Sequence, residues 1–323
     1  GRVNADAVVL KPVLNSEKGI VMSYGFYPNY SDIDTYHMAA ASIDTAIRNA
    51  VSVGADPESI ALLDNFCWCS SDDSERLGQL KRAAKACYDL ATVFETPFIS
   101  GKDSMFNDFK GYDLDGKPIK ISIPPTLLIS SIGVIDDVTK VVSLEVKFPG
   151  DLVYILGETY EEMGGSEYFS YLSEKQGKKC IGNNVPKVDA KKNKNLYANF
   201  YECVKKQLIS SSVSINRGGM GAALAKIAIG GCLGLDIRLN NLQGLVHGND
   251  LALFSETQGR IIVTISPKNK NIFEKMMTGN KITLLGKVIK EPKMIIQGLK
   301  GGEVINTSLK IIQNAYTSTF KGY

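Results

Sequence analysis

At 323 residues the chain has room for two domains, each with its own core. A formal net charge of +3, with lysines that are scattered or gathered in one loop, excludes an extended nucleic-acid surface. No apolar run reaches the ~18–20 residues of a membrane span, and the N-terminus has no signal-peptide profile. Six scattered cysteines read as reduced thiols in the cytoplasm rather than a disulfide framework. Cys67 and Cys69 have no second pair nearby, and with only two histidines, His37 and His247, a zinc site is not expected. The shortage of histidine and the lack of a nucleophile elbow argue against Cys–His or Ser–His–Asp catalysis.

Ala7–Leu10 reads as a buried strand entered through Asn4–Ala5–Asp6. Asp6 is either a turn residue or a carboxylate aimed at a metal or a ribose. Gly19–Tyr24 is a second strand. Asp34–Val53 is the clearest helix, with Met38, Ile43, Ala46, Ile47, Ala50 and Val51 on one face. Its other face carries Ser42, Thr45, Arg48, Asn49 and Ser52 and is expected to be solvated, with Asp44 and Arg48 spaced for an ion pair. Gly54 ends the helix. Ile60–Leu63 is a strand running into Asp64–Asn65, and Ser74–Phe94 is a helix with Leu77, Leu80, Ala84, Cys87 and Ala91 toward the core.

Thr96–Asp108 (TPFISGKDSMFND) follows, a short strand at Phe98–Ile99 expected to break at Ser100–Gly101 and to offer Lys102, Asp103 and Ser104. A glycine at a strand end lets N–H groups approach a ligand, with a lysine as point charge and a hydroxyl two residues on. Those are parts for handling phosphate, although the spacing is not that of a Walker A loop. A strand end closed by a Gly turn is the alternative. Gly111–Lys120 is hairpin-like, and residues 121–135 form a strand interrupted by Pro124–Pro125. Strands alternating with helices make this half α/β or α+β.

Phe148–Pro149–Gly150 is the domain boundary, giving an N-terminal domain over 1–147 and a C-terminal domain over 148–323. Asp151–Leu156 reads as a strand and Gly157, Gly164 and Gly165 as loop, before Ser166–Glu167–Tyr168. Residues 174–195 are rich in lysine and asparagine without periodicity and are expected to be a mobile surface loop. A helix over Leu196–Leu208 and a strand over Val213–Ile215 come next. Asn216–Arg217–Gly218–Gly219 then opens a helix of small residues, Met220–Ile229. The glycine pair serves either to bind an anion through free N–H groups or to allow close packing. Gly259–Ser266, Ile282–Ile289 and Lys293–Gln297 are strands and Asn271–Met277 a helix, a set that suits two helices over an antiparallel sheet.

Several segments together resemble the second synthetase half of phosphoribosylformylglycinamidine synthases, a family of the AIR-synthetase-like ATP-binding superfamily. They are VNADAVVLKP, YSDIDTYHMAAASIDTAIRNAVSVGADPESIALLDNFCW, TPFISGKDSMFND, IPPTLLISSIGVI and GGSEY, in the family's order over most of residues 1–168. The match over 196–265 is looser but keeps a Gly-Gly helix and the pair Glu256–Arg260. The resemblance implies an AIR-synthetase-like N-terminal α/β domain followed by a ferredoxin-like C-terminal α/β domain. Two such halves are related by pseudo-twofold symmetry and joined through the sheet edges of their N-terminal domains. It implies an ATP-dependent ligase of purine biosynthesis that uses glutamine, magnesium and formylglycinamide ribonucleotide. ATP activates the amide oxygen as an iminophosphate, and ammonia from a glutaminase displaces the phosphate.

By the same resemblance, Asp64 and Gly101 contact ATP, Lys102 meets a phosphate oxygen and Ser104 touches the substrate. An auxiliary nucleotide site implied for this half would place Ala5 by the nucleotide and Asp6 and Asn49 on magnesium. The family pattern wants a glutamate where this chain has Thr45, an aspartate where it has Ser214 and a serine where it has Asn216. With two acidic ligands gone, the site is expected to be degenerate, empty or holding only a weakly bound anion. No segment matches the first synthetase half or the glutaminase, and the chain starts abruptly in a strand motif. The isolated chain is therefore expected to be inactive in synthesis, to need those two partners, and to self-associate as a homodimer through the sheet edge that its partner half would cover. The competing reading is a scaffold half with a decayed nucleotide site. A selenophosphate-synthetase relative fits the LDNFCW and SGKDS segments less well.

Overall fold

The structure, a computed structural model, describes residues 2–318. Its first half contains β1 (Ala7–Leu10), β2 (Gly19–Phe26), α1 (Thr35–Ser52), β3 (Ala61–Cys67), α2 (Ser74–Phe94), β4 (Phe98–Ser104), β5 (Asp108–Tyr112), β6 (Pro118–Ser122) and β7 (Thr126–Ile135). Five strands make one sheet in the order β1-β2-β7-β3-β4, while β5 and β6 form a separate hairpin. Only the β3–β4 pair is parallel, as the α2 crossover between them requires.

The period-2 pattern of these strands sorts their residues between two faces. Val21, Leu62, Phe66, Leu127 and Ile129 are buried on the face that packs against the helices. The ladder registers place Val8 beside Met22, Met22 beside Ile132, and Ile20 beside Val134 on the other face, which is left open. Val8, Leu10, Met22, Tyr24 and Val134 are all exposed there.

α1 starts at Asp34, whose side chain accepts hydrogen bonds from Tyr36 N (2.8 Å) and His37 N (3.2 Å). The expected polar, solvated face of α1 is not solvated. Ser42, Asp44, Thr45, Arg48, Asn49 and Ser52 are all buried, because the C-terminal domain packs on the side that the N-terminal sheet leaves free. A Cβ on Gly25 would come within 1.9 Å of Ser42 O, so β2 approaches this helix at backbone distance. On α2 the buried stripe is Ala83, Ala86, Leu90 and Phe94. Leu77 and Ala84 are exposed, so the core face is rotated from the expected one.

The second half contains β8 (Leu152–Leu156), β9 (Thr159–Tyr160), α3 (Glu167–Gln176), α4 (Ala190–Lys205), β10 (Ile209–Ser214), α5 (Gly219–Gly231), β11 (Gly234–Arg238) and β12 (Gly244–Leu245). It continues with α6 (Asn249–Phe254), β13 (Ile261–Ile265), α7 (Lys270–Met276), β14 (Ile282–Ile289), β15 (Lys293–Gln297), β16 (Glu303–Ser308) and α8 (Leu309–Thr317). Seven strands form one sheet, β10-β13-β8-β14-β11-β15-β16, antiparallel except for the β11–β15 pair. The stretch expected to be all loop, 174–195, gives its ends to α3 and α4, with Asp189 capping α4 through Lys192 N.

Alternate residues of β8 and β13 enter different cores. Tyr154, Leu156, Ile261 and Val263 join a cluster with α4, α7 and the N-terminal domain. Val153, Ile155 and Ile262 pack under α5, α6 and α8. Among the described residues no helix is long and apolar enough to cross a membrane, and all six cysteines are free.

Candidate functional site

The residues expected to act divide between two places. Asp64, Gly101, Lys102 and Ser104 lie at one edge of the N-terminal sheet. The GKDS segment is not a loop after a broken strand, since β4 continues through Ser104 and pairs with β3 as far as Cys67. An extra residue, Ile99, is inserted where the register shifts between Leu62 and Leu63. Lys102 pairs with Asn65 and Ser104 with Cys67, which puts both side chains on the open face. There Lys102 Nζ donates to Ser104 Oγ at 2.6 Å, with the lysine exposed and the serine half-buried. Gly101 pairs with Asp64 on the helix-side face, and a Cβ on Gly101 would lie 1.9 Å from Asp64 Oδ1. Glycine is needed because the carboxylate lies over it. Burial, and then the neighbouring Asp103 charge, raise the Asp64 carboxyl above its ordinary range. Asp103 is a site neighbour that motif reasoning noted but gave no role.

The second place is a cleft of about 590 Å³ between the domains, lined by Ala5, Asp6, Thr45 and Asn49 on one side and Asn216, Arg217 and Lys226 on the other. Tyr24, Phe26, Tyr27 and α8 form its apolar walls. At one rim Tyr316 OH donates to Asn4 Oδ1 at 2.7 Å and accepts from Asn4 N at 3.1 Å. Thus the auxiliary-site residues do converge, with Ser214 just behind the wall.

The polar side chains among them are already engaged. Asp6 Oδ2 accepts from Ser214 N (2.8 Å), and Oδ1 faces Lys226 Nζ at 3.1 Å. Asn49 Oδ1 accepts from Asn216 Nδ2 (3.1 Å), and Asn49 Nδ2 donates to Tyr24 O (3.0 Å). Thr45 shares its hydroxyl with Tyr27 OH and Gln258 Oε1, both at 2.9 Å.

Behind the cleft sits Arg48, wholly buried. Nε donates to Ser214 Oγ (2.7 Å), and Nη2 to Thr45 Oγ1 (3.0 Å), Ile215 O, Asn216 Oδ1 and Gln258 Oε1 (3.1 Å each). Nη1 donates to Asp44. Asp44 also accepts from Tyr197 OH (2.7 Å), Asn193 Nδ2 (2.8 Å) and Gly259 N (3.2 Å). Burial, the largest single effect, would weaken the guanidinium's hold on its proton, but the Asp44 charge together with Tyr197 and Tyr27 outweighs it and raises the pKa. The Asp44–Arg48 spacing was readable in the sequence; Arg48 as the centre of the junction was not. Lys226, alone in the apolar run of α5, was the one legible hint of a buried partner.

At the Gly-Gly helix start the N–H groups of both glycines are already taken. Gly218 N donates to Glu256 Oε1 at 2.8 Å and Gly219 N to Asn216 O at 3.0 Å. Glu256 also accepts from Glu167 N at the start of α3 (2.9 Å) and from Tyr30 OH (2.5 Å). One buried carboxylate therefore caps two helices, and its burial raises its pKa. Arg260, the other half of the Glu256–Arg260 motif, is spent on Thr257 O, Ser255 O and Thr159 Oγ1. Among the described residues no group of three or more His, Cys, Asp or Glu side chains could hold a metal ion.

The chain is thus a two-domain α/β unit, an open-faced domain joined through a buried arginine to a helix-covered mixed sheet. Family models for AIR synthase related proteins match it in both parts, the N-terminal domain over residues 4–123 and the C-terminal domain over 149–298. The chain belongs to the AIR synthase related family. It is 35% identical over 269 residues to the phosphoribosylformylglycinamidine synthase subunit PurL of Methanocaldococcus jannaschii, covering 82% of this chain and 35% of that one. The PurL subunit of Methanococcus aeolicus is 29% identical over 319 residues, covering 99% and 41%. The chain thus spans well under half the length of these curated relatives. T. maritima PurL complexed with FGAR has a fold similar over 96% of this chain and 48% of its own, with a TM-score of 0.76 at 19% identity. A chain of the HypE–HypF complex matches over 94% of this chain and 93% of its own, with a TM-score of 0.67 at 15% identity.

Proposed function

We propose that the chain is the second synthetase half of a phosphoribosylformylglycinamidine synthase working in the cytoplasm. The complete enzyme would convert formylglycinamide ribonucleotide, ATP and glutamine into the amidine, ADP, phosphate and glutamate. The observation that carries this reading is the position of Lys102 and Ser104 on the open face of the N-terminal sheet, in the same plane as its exposed apolar residues. An apolar face of this kind fits the corresponding sheet of the first synthetase half. A ligand held at that junction would meet the Lys102 ammonium with a phosphate oxygen and the Ser104 hydroxyl with substrate. Because β4 is an edge strand, a nucleotide lying across it reaches Asp64 and Gly101 on the other side as well. PurL of T. maritima has been solved with FGAR, ADP and ATP, which supports the ligand classes.

Positioning and charge complementarity are what phosphoryl transfer to an amide oxygen requires of the protein. This half supplies a cation and a hydroxyl toward them, while the first half would supply the magnesium ligands and the glutaminase the ammonia. The test is reconstitution. Adding the chain to the first half and glutaminase of the same enzyme should restore phosphate release that depends on both ATP and formylglycinamide ribonucleotide. Unchanged release would refute the assignment.

A further inference from the structure

We propose that the guanidinium of Arg48 stands in this chain where the family's auxiliary nucleotide site would place a divalent cation, so that the domain junction is held without metal. The three positions that depart from the family pattern are Thr45, Ser214 and Asn216. Their side-chain oxygens all accept hydrogen bonds from Arg48, at 3.0, 2.7 and 3.1 Å. Neutral oxygens suit a guanidinium whose charge is already met by Asp44, and the planar fork of five donors can serve several of them at once.

A magnesium ion needs a near-octahedral shell of hard oxygens at about 2.0–2.1 Å and dehydrates reluctantly. The oxygens left for it do not fit that demand. Asp6 is neutralised by Lys226 on one oxygen and bonded by Ser214 N on the other, and Asn49 Oδ1 is held by Asn216. An ion among them would also sit beside two fixed cations, Arg48 and Lys226. The acidic groups lost from the pattern and the arginine that bonds their replacements thus form one coordinated substitution of a covalently attached charge for a diffusible one.

The inference takes its expectation of a metal from the family. Its readouts concern this chain alone, so they do not depend on ligase activity. Thermal unfolding of the chain in chelator, in magnesium, and in magnesium with ADP should give midpoints within about 1 °C of each other. A rise of several degrees that requires magnesium would overturn the proposal. The triple variant Thr45→Glu/Arg48→Ala/Ser214→Asp returns the acidic donors and removes the plug. It should gain a magnesium-dependent rise of several degrees that the parent chain lacks, with circular dichroism confirming the fold. A folded triple variant indifferent to magnesium would count against Arg48 as the ion's replacement.

Discussion

Arg48 Nε donates to Ser214 Oγ at 2.7 Å, joining two residues 166 positions apart across the domain junction. With Asp44 at the other end of the guanidinium, the pair is buried on all sides, and removing one partner leaves an uncompensated charge. Arg48→Met should therefore cost about 3–5 kcal/mol in denaturant unfolding, and Arg48→Met/Asp44→Leu less than that single change. A loss below about 1 kcal/mol for Arg48→Met would mean the junction is held elsewhere.

Asp34 gives a pH dependence of definite sign. Burial would raise its carboxyl, but the hydrogen bond from Arg82, with that from His37 N, outweighs this and holds it below the ordinary carboxylate range. The folded value thus lies below the unfolded one of about 3.9. Its stabilisation is complete above about pH 4 and is lost as pH falls through the folded value. Asp34→Ala should cost about 1 kcal/mol near neutrality and progressively less below about pH 4. Parallel stability curves for the two proteins across that range would contradict the cap.

Gly101→Ala places a methyl group where Asp64 Oδ1 lies, so the carboxylate must swing away. The side chain sits at an accessible sheet edge, and the stability change should stay below about 1 kcal/mol. In the complete enzyme the KM for ATP should rise about tenfold, equivalent to about 1.4 kcal/mol, as for Asp64→Ala. The double variant should be no worse than either single one. Additive effects would show that Gly101 and Asp64 act separately.

The uncovered sheet face should make the isolated chain self-associate. A charge placed there, as in Met22→Lys or Val134→Lys, should weaken association at least about tenfold in sedimentation velocity. Both positions are exposed and their pairing partners on β1 and β2 are apolar, so folding should be unaffected. A monomeric parent chain would contradict the prediction, and association unchanged in both variants would show that another surface carries the contact.

Much of the fold is legible locally. The Asp34 cap, the periodic apolar face of α1 and the stop at Gly54 define that helix without tertiary information. Its polar face reads as solvated because serine, threonine, arginine and asparagine on a helix ordinarily meet water. The burial comes from β10 and Gln258, more than 150 residues further on. At β4 the glycine resembles a break, whereas the strand keeps its ladder and the glycine accommodates Asp64. Motif matching groups Asp64, Gly101, Lys102 and Ser104 correctly as neighbours. Which face each one takes depends on the inserted Ile99, which no local signal marks. Glu256 is legible as part of a motif, but its use as a shared cap for α3 and α5 depends on folding.

Lys102 is proposed to reach a reaction centre completed by the other synthetase half. Steady-state kinetics of Lys102→Ala in the complete enzyme test it most directly, with Lys102→Arg as the charge-conserving control. Loss of the ammonium should lower kcat/KM for ATP by about 100-fold or more, with the arginine variant recovering part of it. Turnover equal to that of the parent enzyme would reduce this half to a scaffold.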